Sequence, residues 1–163
     1  LRNELIGLML SLEGKIRYTQ DERRDLIEEG YGDCSSVVRW VYLQVLQTDI
    51  GEDTAVQIIS HHGRDVDENR YPDRLKLLPG DLLFFTGHDH TRPYSVGHVE
   101  MYIGDGMLAG QNDRKVPGIF IKPMDTYIRD IYKNGHHYIK TRRFMGSWIV
   151  YIRGWIYRLG FLY

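Results

Sequence analysis

The chain has 163 residues, enough for one domain with a sizeable core and too few for two. Lys plus Arg number 21 against 22 for Asp plus Glu, and the net charge of −1 gives no electrostatic footprint for nucleic acid or an anionic surface. The single cysteine excludes an internal disulfide, and no apolar run approaches the ~20 residues that a membrane-spanning helix needs.

The N-terminal "LRNELIGLMLSLEG" sets Leu5, Leu8, Met9 and Leu12 at helical spacing, with Gly14 as the stop. It is too acidic and too amphipathic for a signal peptide, so no export leader is visible. Residues 17–33 are polar and punctuated by glycine, which predicts a loop carrying Tyr31 and Asp33 toward Cys34. From Ser35 to Leu46, the positions Val37, Val38, Val41, Tyr42, Val45 and Leu46 form a helical stripe, so Cys34 falls in the first turn of a helix. A shorter helix is expected over 52–61, and 63–76 is charged and irregular.

"LLPGDLLFF", 77–85, reads as a Pro-Gly turn feeding a buried strand, followed by the loop "GHDHTRPYS". "VGHVEMYIGDG" is a strand ending in a Gly-Asp-Gly turn, with further strands near 107–111 and 116–121 and a short helix over 124–133. The basic cluster "KTRR", 140–143, reads as a solvated face. Residues 147–158 read as a last strand pair or one bent strand packed on the core, with an aromatic sugar-binding edge or an oligomer contact as the alternative. Helices first and an antiparallel meander after them predict one α+β domain over 1–163, with N-terminal helices packed on a central antiparallel sheet.

A lone cysteine is commonly a small buried hydrophobe. At a helix N-terminus, however, the local positive potential favours the thiolate, and the free amides can hold an oxyanion. A thiol nucleophile also needs a base with an orienting partner. Of seven histidines, only His98 lies in a strand-like alternating segment that would hold it rigidly, with Val99 and Met101 on the opposite face. Gln111 and Asn112, on the following strand, each carry a carbonyl able to accept from the imidazole.

Three segments together resemble the NlpC-type peptidoglycan cysteine peptidases, a compact papain-like group. "YGDCSSVVRWVY" is similar to that family's Asp-Cys-Ser box, "LLPGDLLFF" to its Pro-Gly-Asp-Leu strand, and "GHVEMYIGDGMLAGQND" to its histidine strand and glycine turn. They occur in the family's order and span residues 31–112. The resemblance implies a nucleophile Cys34, a general base His98 and a third polar residue that orients the histidine. In many members the third residue is a histidine twelve or thirteen positions after the first. Here those positions hold Gly110 and Gln111, so Gln111 is taken as the third residue, with Asn112 as its alternative. Tyr31, Asp33 and Ser35 fall on positions that line the family's substrate groove, although the tyrosine usually stands two places before the cysteine rather than three. Asp33 and Ser35 serve equally well as a helix N-cap and a first-turn hydroxyl.

The resemblance further implies a thiol hydrolase of bacterial peptidoglycan with no cofactor, no metal and no nucleic-acid partner. It would act at the cell wall as a secreted, phage-lysin or tail-associated enzyme. Endopeptidase cleavage of stem peptides is favoured over N-acetylmuramoyl-L-alanine amidase action. Two rival readings differ in class. One is a zinc hydrolase using the pairs His61–His62 and His136–His137 with His88 and His90, although no His-Glu-x-x-His helix is present. The other is a non-catalytic module that binds wall peptides.

Overall fold

The computed structural model describes residues 1–111 and 118–146. Helix α1 (Arg2–Ser11) and the short strand β1 (Arg17–Tyr18) lead to β2 (Tyr31–Gly32), which pairs with β1 in parallel. Helices α2 (Cys34–Leu46) and α3 (Thr54–Ile59) follow, then β3 (Arg64–Asp67), β4 (Leu82–Thr86), β5 (Val96–Gly104), β6 (Met107–Gly110) and β7 (Phe120–Pro123). Helix α4 (Met124–Lys133) and β8 (Tyr138–Arg143) complete the described chain. The main sheet has the order β3-β8-β4-β5-β6-β7, and its pairings are antiparallel. This is the expected α+β architecture.

Strand alternation explains the continuous apolar run of β4. Leu82 and Phe84 join α1 and α2 through Leu5, Met9, Val38, Val41 and Tyr42, whereas Leu83 and Phe85 face α4 through Met124 and Ile128. A strand covered on both faces has no polar side to show in its sequence. The Pro-Gly-Asp turn before β4 is fixed by side chains from elsewhere. The Tyr42 hydroxyl donates to the Gly80 carbonyl, and the Asp81 carboxylate accepts from the Leu78 amide at 2.8 Å.

Several sequence expectations shift in the structure. The segment 17–33 contains the β1–β2 pair, 63–76 contains β3, and the helix expected over 52–61 is confined to Thr54–Ile59. The strand expected near 116–121 is observed as Phe120–Pro123, and the expectation for 147–158 lies outside the described residues. The basic cluster is not a solvated face. It forms most of β8, between β3 and β4, where Lys140, Thr141, Arg142 and Arg143 are all buried. Each cation has partners remote in sequence: Asp65 and Glu68 for Lys140, the Ser60 and Gly63 carbonyls for Arg142, and Asp81 for Arg143. No described helix is long and apolar enough to cross a membrane.

Candidate active site

The first turn of α2 is held by a capping box. Asp33, in an extended conformation, accepts from the Ser36 amide at 2.8 Å, and the Ser36 hydroxyl accepts from the Asp33 amide at 2.8 Å. The Ser35 hydroxyl also donates to Asp33 Oδ1 at 2.8 Å. These bonds set Cys34 as the first helical residue, 5% exposed, where helix-terminal amides precede the first backbone bond from Val37 to Asp33. Arg24 braces the same turn. Its Nε lies 3.1 Å from Asp33 Oδ2, and its Nη2 donates to the Ser35 hydroxyl at 3.0 Å and the Glu52 carbonyl at 2.9 Å.

His98 stands on β5, opposite Phe85 of β4. Its Nε2 meets Glu100 Oε1 at 2.7 Å, and the imidazole lies close enough to Cys34 for the thiol's charge to act on it. Glu100 is fully buried, and the Lys122 ammonium of β7 donates to the same carboxylate oxygen at 2.8 Å. Burial alone would lower the His98 midpoint. The Cys34 charge and the Glu100 carboxylate outweigh it and push His98 up to about 10. Burial would likewise raise Glu100, but Lys122 and His98 outweigh burial and hold the carboxyl below its ordinary value. The arrangement is thus a thiol, an imidazole and an ionised carboxylate in sequence, with an ammonium behind them.

Of the residues singled out from sequence, the structure brings Cys34, His98, Asp33 and Ser35 to one place. Gln111 goes elsewhere: it is fully buried, and its amide donates to the Ile16 carbonyl at 2.6 Å. The described partner on His98 Nε2 is Glu100, and Asn112 lies outside the described residues. Tyr31 does not line the cleft; the Arg23 guanidinium stacks on its ring at 4.8 Å. Glu100 had a legible signal, since a strand's period of two places residues 98 and 100 on the same face.

Cys34 opens on a polar cleft of about 190 Å³, which Arg24, Asp33, Ser35, Asp53 and Arg92 also line. Arg92 Nη2 lies 3.1 Å from Asp53 Oδ2 and donates to the Thr54 hydroxyl at 2.9 Å, so two Arg–Asp pairs line the cleft. Nothing in the spacing of the sequence announces those partners. Elsewhere His61 stacks on His62 at 4.0 Å and His88 meets His136 edge-on at 4.6 Å. Among the described residues, no three His, Cys, Asp or Glu side chains converge as a metal would need.

Residues 21–141 match the NlpC/P60 family, and the chain belongs to that family. The fold is similar to NlpC2 from Trichomonas vaginalis, with a TM-score of 0.64 and 22% identity over 88% of this chain and 46% of that one. It is similar to the NlpC/p60 domain of the peptidoglycan hydrolase SagA, with a TM-score of 0.55 and 22% identity over 78% of this chain and 92% of that domain. An NlpC/P60 family protein from Bacillus cereus gives a TM-score of 0.59 and 26% identity over 90% of this chain. The chain spans less than half the length of the Trichomonas and Bacillus proteins, 46% and 41%. No curated protein matches the chain at a significant level.

Proposed function

We propose that this NlpC/P60 chain is a single catalytic domain that hydrolyses amide bonds in the stem peptides of bacterial peptidoglycan, with Cys34 as nucleophile, His98 as general acid–base and Glu100 as the group that orients His98. The observation that carries this reading is the placement of His98 between the Cys34 thiol and the buried Glu100 carboxylate. The family match and the SagA domain support peptidoglycan as substrate and the cell wall as the place of action.

In this reading the thiolate attacks the scissile carbonyl, and amides at the start of α2 stabilise the oxyanion. The His98 imidazolium protonates the leaving amine as the C–N bond breaks, leaving a thioester on Cys34. His98 then takes a proton from water, hydroxide adds to the thioester carbonyl, and the C–S bond breaks to release the acid and the thiol. Glu100 keeps the ring in one tautomer and stabilises its charged form throughout. The cleft is small, and its paired Arg and Asp side chains suit the charged groups of a peptide rather than a glycan, which favours endopeptidase over amidase action.

The test is mass spectrometry of soluble products from purified peptidoglycan treated with wild type and with Cys34→Ala. Release of peptide fragments by wild type alone is expected, and their new termini identify the bond. Intact stems freed from glycan would replace endopeptidase with amidase. Equal release by both proteins would end the thiol reading, and release by neither would leave a module that binds without turnover.

A further inference from the structure

We propose that Lys122 is a positioning residue for the Cys34–His98 pair, acting through Glu100 to hold the thiol and imidazole in their charged forms. The inference rests on the relay proposed above, and it is read out on Cys34 itself without any substrate.

The geometry is specific. Lys122 stands on β7, opposite Leu108 of β6, which is itself opposite Tyr102 of β5. By alternation Lys122 therefore shares a sheet face with Glu100 and Tyr102, and its side chain reaches diagonally across β6 to the carboxylate. The ammonium lies 2.8 Å from Glu100 Oε1, the same oxygen that meets His98 at 2.7 Å. It is held over the Tyr127 ring of α4 at 4.3 Å, and that ring also lies 6.2 Å from the His98 ring. Only 16% of the Lys122 side chain is exposed, so water screens this charge weakly.

Charge alternation turns that geometry into a function. Among the described residues, thiolate, imidazolium, carboxylate and ammonium alternate in sign from Cys34 to Lys122. Replacing the ammonium with a neutral group takes one weakly screened positive charge from that row. Losing a buried positive charge disfavours a nearby anion, so the thiol keeps its proton to higher pH. Among the described residues, the charged and titratable groups facing this row are Cys34 from α2, His98 and Glu100 from β5, Lys122 from β7 and the Tyr127 phenol from α4, with His136 ahead of β8 within electrostatic reach of His98 and with Arg24, Asp33, Asp53 and Arg92 around the cleft onto which Cys34 opens.

The experiment is the pH profile of Cys34 alkylation by iodoacetamide, with folding checked by near-UV circular dichroism. Lys122→Gln keeps a donor for Glu100 but removes the charge, and its midpoint should rise by about one pH unit, which is about tenfold slower alkylation on the rising limb. Lys122→Arg should stay near wild type. In a Glu100→Gln background the same Lys122→Gln change should produce little further shift, because its route is gone. An unchanged midpoint in folded Lys122→Gln overturns the proposal, and so does an equal shift in the Glu100→Gln background. A destabilised Lys122→Gln with a wild-type midpoint would make Lys122 a structural partner only. Loss of peptidoglycan release with the alkylation shift intact would instead count against the hydrolase reading alone.

Discussion

The Glu100 carboxylate lies in the space that a side chain at position 110 would take: a Cβ on Gly110 would fall 2.0 Å from Glu100 Oε2. Gly110 also shares the sheet face of Leu108, the face from which Lys122 and Glu100 meet. The absent side chain on β6 and the carboxylate on β5 are therefore one arrangement. Gly110→Ala should displace Glu100 from His98 while leaving the sheet paired, because Gly110 is not among the residues with positive φ. A fall in kcat/KM of about 10²-fold, with a cooperative unfolding transition retained, is the expected result. Full activity in Gly110→Ala would show that Glu100 has no part in orienting His98.

The His98 midpoint depends chiefly on the Cys34 charge among the influences that raise it. Its value of about 10 in the folded protein lies above the ordinary 6.5, so the charged ring contributes stability that is fully present below pH 6.5 and lost as pH rises through about 10. Glu100 has the opposite sign, contributing above the ordinary carboxylate range and losing that contribution as pH falls through its depressed midpoint. In Cys34→Ala the His98 midpoint, followed by NMR of the imidazole protons, should move down. An unmoved midpoint would mean that the thiol and imidazole do not exchange charge.

Arg24 contacts the Asp33 carboxylate through Nε and the Ser35 hydroxyl and Glu52 carbonyl through Nη2, a spread over two nitrogens of a rigid fork that a single ammonium nitrogen does not reproduce. Both Asp33 oxygens already have protein partners, so the groove beside Cys34 depends on Arg24 for its shape. Arg24→Lys should raise KM by about tenfold, a discrimination of the size expected for one lost polar contact, with kcat nearly kept. A lower kcat at constant KM would assign Arg24 to the chemical step instead.

Asp81 and Arg143 form a two-pronged pair at 2.7 Å, with the Asp81 side chain fully buried and Arg143 10% exposed. Arg143 also donates to the Lys76 carbonyl at 2.8 Å, so the pair ties β8 to the turn that starts β4. Removing one partner leaves a buried charge, and Asp81→Ala should cost about 3–5 kcal/mol in urea unfolding. A loss below about 1 kcal/mol would reduce the pair to surface strength.

Local pattern made α2 legible, because its stripe and its Asp-Cys-Ser start are set by 3.6-residue periodicity and by a cap within three residues of Cys34. The same holds for β4 and for His98, whose strand alternates and ends in a glycine turn. What the sequence determined by itself was the place of Cys34 at a helix start, the place of His98 on a strand and the helix-before-sheet order, all carried by neighbours along the chain.

Tertiary structure decided the rest. Residues 140–143 look like a solvated cluster until Asp65 of β3, Glu68 just after it and Asp81 just before β4 neutralise them. Gln111 and Glu100 were both polar side chains near the histidine. Which of them meets His98 is decided by packing: Gln111 is drawn to the Ile16 carbonyl, and Gly110 leaves room for Glu100. Burial makes an unpaired charge costly, so the partner of each buried charge is chosen by the folded space around it and not by its distance along the chain.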